Sequence, residues 1–231
     1  MILNQYCKCL RNKMPLTYRF TTPVYPAEIL YINCIPQYSC TNDCLFCSRP
    51  RHAPTENIYE KKAGTSLHLA QQPTVDEIIR AIEINIRPTD KEIAFVGLGE
   101  PLQYLPTVVE VLKYIKKRHN VKTRVDTNGT ATCTYPDAAA QLASYLDEIR
   151  ISVNATNAED YRKLCRPRHP NAFEHVVSFV QQCRTAGIDT YASFVVGFEL
   201  SKTEEEYKKF AESLGVNEKH ILLRKYVKSI E

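Results

Sequence analysis

Three of the nine cysteines in this 231-residue chain stand together, in Cys40-Thr-Asn-Asp-Cys44-Leu-Phe-Cys47. Thiolates are soft metal ligands, and three of them at C-x3-C-x2-C on one loop point to a metal rather than a disulfide. The odd cysteine count, and polar, basic residues 1–14 with no apolar leader, argue against an oxidised framework. Iron–sulfur clusters take thiolates, normally one per iron, so three cysteines leave one iron of a [4Fe-4S] cluster open. Structural zinc wants a fourth protein ligand, and Cys44-x2-Cys47-x4-His52 offers one. Zinc-knuckle spacing then asks for a cysteine where Asn57 stands, and Cys34 falls inside a predicted strand. Cys133, Cys165 and Cys183 are scattered and read as buried apolar residues or free thiols, while Cys7-x-Cys9 is one further spacing that could bind metal.

Four more stretches carry polar or glycine-rich chemistry: Gly97-Leu98-Gly99-Glu100-Pro101, Asp126-Thr127-Asn128-Gly129, Ile151-Ser152-Val153-Asn154 and Phe194-Val195-Val196-Gly197-Phe198-Glu199. The first is not a dinucleotide-binding GxGxxG, because Leu102 occupies the third glycine position. Taken singly each reads as an ordinary turn, and Asn-Gly in particular is a common one. Arg49 and Arg51, just after the cysteines, offer charge for an anionic substrate, and Arg224 and Tyr226 offer contacts near the C-terminus.

The elements that must position these residues alternate. Runs rich in β-branched and apolar residues at 28–35, 93–98, 122–126, 148–153, 190–196 and 220–226 predict strands. Helical periodicity appears at 74–86, 107–118, 137–145, 158–164, 173–186 and 203–214, the first with Thr74 and Glu77 as a capping box. Six strand–helix units imply parallel strands joined by right-handed crossovers. Six are too few for an eight-unit barrel, so the expected fold is α/β, a partial open (β/α)6 barrel of parallel strands. Residues 28–231 form that core, and 1–27 form an irregular N-terminal arm. Ligands in such sheets sit beyond the C-terminal ends of the strands, where every one of the stretches above falls.

Composition excludes other classes. At 44% hydrophobic and 24% charged residues the chain reads as an ordinary globular protein, and a net charge of +4 gives no strong nucleic-acid signal. No stretch approaches the roughly 20 apolar residues of a membrane span, so no membrane association and a cytoplasmic location are expected.

Together these motifs resemble the radical S-adenosylmethionine (SAM) superfamily. The resemblance runs from about Tyr31 to Tyr226 and lies in C-x3-C-x2-C with Phe46 before its last cysteine, in GLGEP for the family's GGEP, and in DTNG, ISVN and FVVGFE in order. It implies that Cys40, Cys44 and Cys47 hold a [4Fe-4S] cluster whose open iron is chelated by SAM. It further implies SAM contacts from Phe46, Gly97, Leu98, Gly99, Glu100, Asn128, Ser152, Asn154, Val196 and Gly197. Asp126 and Thr127 would bind a monovalent cation beside SAM, as in the pyruvate formate-lyase-activating enzyme, although Ser152 stands where that enzyme has an Asp. Electrons would come from a flavodoxin- or ferredoxin-like donor. FVGLGEPLQ, DTNGT, ISVNATNAEDYRKLCRP and LLRKYV narrow the likeness to TatD-associated radical SAM proteins, a likeness that brings no substrate with it. The substrate, small molecule or protein, stays open between a glycyl-radical activase and a deazapurine-type synthase. A non-catalytic iron–sulfur or zinc protein that binds a partner is the rival class. It gives no reason for GLGEP, DTNG and ISVN to occupy successive strand ends.

Overall fold

The computed structural model describes residues 15–20, 27–49 and 58–226. Cys7, Cys9, Arg51 and His52 lie outside the described residues. Seven strands form one open sheet in sequence order. They are β1 (Thr17–Tyr18), β2 (Ile29–Ile32), β3 (Glu92–Phe95), β4 (Lys122–Thr127), β5 (Glu148–Ser152), β6 (Asp189–Val196) and β7 (Ile221–Lys225). Strands β2 to β7 run parallel, with Tyr31 level with Ala94, Ala94 with Arg124, Arg124 with Glu148 and Glu148 with Asp189. These are the six expected strands, with ends shifted by up to three residues. The connecting helices are α1 (Ile58–Ala63), α2 (Val75–Asn85), α3 (Leu105–Arg118), α4 (Ala138–Leu142), α5 (Ala158–Cys165), α6 (Ala172–Thr185) and α7 (Glu204–Ser213).

Two elements differ from the sequence reading. Within the arm expected to be irregular, β1 pairs antiparallel with β2, and Tyr18 stacks on Tyr31 with centroids 5.2 Å apart. Arg19 secures that edge by donating to both Asp90 oxygens (2.7 and 2.6 Å) and to the carbonyls of Ala27, Ile29 and Asn85. A two-residue strand is too short to leave a period in the sequence. Likewise α1 interrupts a connection expected to be loop.

Helix starts follow local chemistry. Thr74 accepts from Glu77 N (3.2 Å) while Glu77 accepts from Thr74 N (2.9 Å), and Thr203 with Glu206 repeats the same box at the start of α7. Ile78 and Ile82 of α2, Leu112 and Ile115 of α3, and Phe179 and Val180 of α6 are buried against one side of the sheet. Strand alternation sends Leu30, Ile32, Phe95, Val125, Ile151, Phe194 and Val196 to that side. On the opposite, inner side Tyr18, Tyr31, Tyr38, Leu67, Ala94 and Leu98 cluster near β2 and β3. From β4 onward that side is mainly charged and polar, with Val195 and Leu222 the apolar residues of β6 and β7. Among the described residues no helix is long and apolar enough to cross a membrane.

Candidate active site

The cysteine loop leaves β2 and is tied to the far end of α5. Arg166 ends that helix in the left-handed conformation (φ 45°), leaving its last carbonyls facing outward. Asp43 N donates to Cys165 O (3.0 Å) and Leu45 N to Leu164 O (2.9 Å), while Arg168 N returns a bond to Thr41 O (2.8 Å). Below them Asn42 Nδ2 donates to the buried Tyr161 hydroxyl (2.8 Å). The loop thus satisfies the helix end, and the helix end fixes the loop.

Within that frame the sulfurs receive N–H groups. Asn42 N points at Cys40 Sγ (3.4 Å), Arg49 N at Cys47 Sγ (3.4 Å), and Asn128 Nδ2 at Cys40 Sγ (3.5 Å). Donors aimed at sulfur favour thiolate, the form that ligates iron. Burial pushes the Cys40 thiol up to about 11, with the Glu100 charge adding to it. Cys44 shares a hydrogen bond with Cys165, and that bond, with burial, holds its thiol well above the usual range. A metal ligated by these sulfurs would have to displace their protons.

Asn128 joins three loops. Its Nδ2 also donates to Thr41 Oγ1 (2.7 Å), its Oδ1 accepts from Thr130 N and Oγ1 (2.9 and 2.8 Å), and its backbone N donates to Glu100 Oε2 (2.6 Å). Thr41 and Thr130 close the circuit at 2.7 Å. Glu100 is 1% exposed, and its other oxygen accepts from Leu102 N (2.9 Å) and Thr127 Oγ1 (2.7 Å). Gly99 abuts the residue before the first cysteine, and Glu100 N donates to Ser39 O (2.9 Å). Gly97 packs against Asn33 and Ile35, and Gly129, with φ +83°, packs on Ile151 and Val176. The GLGEP, DTNG and cysteine loops are therefore one assembly at the strand ends, as the sequence reading expected.

Burial pushes the Glu100 carboxyl up to about 7, against three hydrogen bonds that favour the anion. A raised carboxyl binds its proton more tightly when folded. Its contribution to stability is thus greatest below the unfolded value of 4.5 and is lost as pH rises through about 7. Between those limits the loss is about 3 kcal/mol. Urea titrations of the native chain and Glu100→Gln at pH 5 and pH 8 check this. The native chain should lose about that much relative to the variant, and parallel curves would refute it.

Other expected site residues are placed differently. Asp126 and Thr127 point to opposite sides of β4, Asp126 pairing with Arg124 and Thr127 bonding Glu100, so the expected cation pair is not brought together. Val196 faces the helices with Phe194, since strand parity and not position in a motif decides its side. Leu98 is buried in the inner cluster beside Tyr38 and Leu67. Asn154 is 3% exposed and structural: with φ 60°, its Oδ1 takes Val195 N (3.1 Å) and its carbonyl takes Tyr207 Oη (3.2 Å). The Arg49 guanidinium folds back onto Asn42 O (3.0 Å) and Asp43 (3.5 Å). Cys34, the substitute zinc ligand, is buried in the helix-side core. Among the described residues no three His, Cys, Asp or Glu side chains are gathered around one metal-ion position.

Ser152 and Gly197 stand at the ends of β5 and β6. The ring of Phe46 meets Phe198 edge-on (6.1 Å), and Phe198 meets Tyr226 (5.0 Å), so an aromatic arc runs from the cysteine loop to the end of β7. Thr41, Thr130, Asn42, Tyr161 and Cys165 were given no role by the sequence reading, although all five stand within or beside the quoted motifs. Each is joined to the site by a contact across the fold that spacing does not record.

Comparison with known proteins agrees with this geometry. Residues 34–214 match the Radical SAM superfamily, well over half of the chain. A probable dual-specificity RNA methyltransferase RlmN of Microcystis aeruginosa is 25% identical over 163 residues, covering 69% of this chain and 43% of that protein. AdoMet-bound anSMEcpe superposes with a TM-score of 0.59 at 14% identity, covering 87% of this chain and 51% of the other. The FeFe-hydrogenase maturase HydG of Carboxydothermus hydrogenoformans does so at 0.58 and 16%, covering 87% and 44%. This chain thus spans about half the length of the proteins it matches. With its cysteine loop, Glu100 loop and Asn128 loop joined at the ends of parallel strands, the chain belongs to the radical SAM superfamily.

Proposed function

We propose that this chain is a radical SAM enzyme in which Cys40, Cys44 and Cys47 hold one [4Fe-4S] cluster and the Glu100 and Asn128 loops hold SAM. The observation that carries the reading is Asn128, whose backbone N–H reaches Glu100 while its side chain reaches Cys40. This residue couples the thiol loop to a buried carboxylate suited to an ammonium group. The donor set fits a cluster: three thiols on one loop, with amide N–H groups already aimed at two of the sulfurs. When bound, the cluster supplies the electron that splits SAM into methionine and a 5′-deoxyadenosyl radical, which takes hydrogen from a substrate.

The chain's own residues bind and orient. Glu100 receives the ammonium of SAM, which offsets the burial that raises its carboxyl and favours the anion. Asn128 and the backbone N–H groups of Asn42 and Arg49 set the electrostatics of the sulfurs. Phe46, Phe198 and Tyr226 shield the reacting end from water. The substrate is a small molecule or a protein, and the electron donor is flavodoxin- or ferredoxin-like.

Anaerobic reconstitution with iron and sulfide, followed by SAM and dithionite, tests this. The native chain should show the cluster's visible absorption and release 5′-deoxyadenosine, and the Cys40→Ala/Cys44→Ala/Cys47→Ala chain should show neither. One tightly bound zinc and no cluster would replace this reading with that of a structural-metal protein.

A further inference from the structure

We infer that Cys165 is a positioning residue for the cluster: its thiol donates to Cys44 Sγ when that sulfur ligates iron, and so eases reduction. The inference rests on the radical SAM reading for the cluster itself.

The backbone sets the two cysteines opposite each other. Asn42 and Pro167 form an antiparallel bridge. Around it Arg168 N donates to Thr41 O (2.8 Å), Asp43 N to Arg166 O (3.2 Å) and Leu45 N to Leu164 O (2.9 Å). Counting two residues forward from Asn42 and two back from Pro167 opposes Cys44 to Cys165. That pair lies between hydrogen bonds rather than exchanging them, which is the closely spaced kind of antiparallel pair. The side chains meet, and Cys44 and Cys165 share a hydrogen bond. Cys165 is 0% exposed, within the core cluster against which Cys44 packs. One turn earlier on α5, the buried Tyr161 hydroxyl accepts from Asn42 Nδ2 (2.8 Å), so a second side-chain contact holds the loop to the same face of the helix.

Chemistry fixes the direction of the bond. A thiolate that ligates iron has given up its proton and can only accept, so the proton between the two sulfurs is the one on Cys165. Cys40 receives the N–H groups of Asn42 and Asn128, and Cys47 receives that of Arg49. With Cys165 opposite Cys44, each of the three ligand sulfurs has a donor. Reduction adds one negative charge to a cluster. Donors at its sulfurs stabilise the more negative state, which raises the potential. Exclusion of water from the site strengthens that effect. Cys165 therefore acts through Cys44, as the partners behind metal ligands do elsewhere, and needs no contact with SAM or substrate.

Potentiometric titration of the reconstituted cluster, followed by its electron paramagnetic resonance signal, tests this. Cys165→Val and the smaller Cys165→Ala have no donor. In both, the cluster should be harder to reduce by about threefold, which is about 30 mV at 59 mV per tenfold. Cys165→Ser, whose hydroxyl donates, should titrate at or above the native potential. Equal potentials in the native chain and the two donorless variants overturn the inference. So does a fall in Cys165→Ser equal to theirs, which would make packing the cause. Cobalt(II) as the only metal gives a second readout that requires neither cluster assembly nor SAM cleavage. Its sulfur-to-metal absorption band should move to longer wavelength in Cys165→Val, hold its position in Cys165→Ser and keep its intensity in both. An unmoved band overturns the inference, and an intensity lower by one thiolate does so equally, by making Cys165 a ligand. A chain that shifts the cobalt band as expected but assembles no cluster supports the donor contact while the radical SAM reading fails.

Discussion

Replacing Gly99 with alanine should cost the folded chain about 3–5 kcal/mol, from backbone strain and overpacking together, and should remove SAM binding. Gly99 has φ +141°, a conformation that side-chain-bearing residues rarely adopt. A Cβ there would collide with Ser39 O and lie 2.7 Å from Ile35 Cγ2. Neither neighbour can yield cheaply. Ser39 O is backbone and accepts from Glu100 N, and Ile35 is 1% exposed in the core. Relief requires the Glu100 loop to move away from the cysteine loop, which breaks the junction that Asn128 spans. Gly197 is the control: it has φ +79°, but a Cβ there meets nothing within 4 Å. Gly197→Ala therefore carries only backbone strain, about 1 kcal/mol. Urea midpoints and SAM binding of the two variants make the comparison. Equal midpoints would show that the close approach of Gly99 to Ser39 contributes nothing.

That contact also illustrates what the sequence made legible. The loops could be located because each follows a strand whose β-branched run is short and bounded, and parallel order brings all strand ends to one edge. Cys40, Glu100 and Asn128 were readable in this way, as was Thr74 with Glu77 as the start of α2. Which way a side chain points at that edge is another matter, because one residue reverses it. Val196 ends the expected strand in a motif read as contacting SAM, but it shares the parity of Phe194 and so packs under the helices; counting back along β6 would have found this. Asp126 and Thr127, adjacent in sequence, had to diverge for the same reason. The supports of the cysteine loop could not be read at all. Asn42 meets Tyr161 across 119 positions, as Arg19 meets Asp90 across 71 at the β1 edge, and no local period records such pairings.

The polar inner face rests on Arg124, and Arg124→Ala should destabilise the chain by about 3–5 kcal/mol. Arg124 is 2% exposed and ion-pairs with Glu92 (2.6 Å) and Asp126, with Glu148 a further 3.8 Å contact. Glu148, almost wholly buried, keeps Lys122 and Arg150 in the variant, but Glu92 loses the cation it pairs with. The cost is therefore mainly that of a carboxylate left in a half-dry site, not the net worth of the pair. This reasoning has a separable consequence. Arg124→Met keeps much of the aliphatic stem and should be nearly as damaging as alanine, because packing is not what is lost. Adding Glu92→Gln to either variant should restore about half of the loss, since a neutral amide needs no counter-charge. Urea denaturation of the native chain, Arg124→Ala, Glu92→Gln and the double variant supplies the double-mutant cycle, with the two Arg124→Met proteins measured beside it. If Met alone restores stability, Arg124 is a packing residue. If Gln restores it, the inner face is an ion lattice in which each buried strand charge requires its partner.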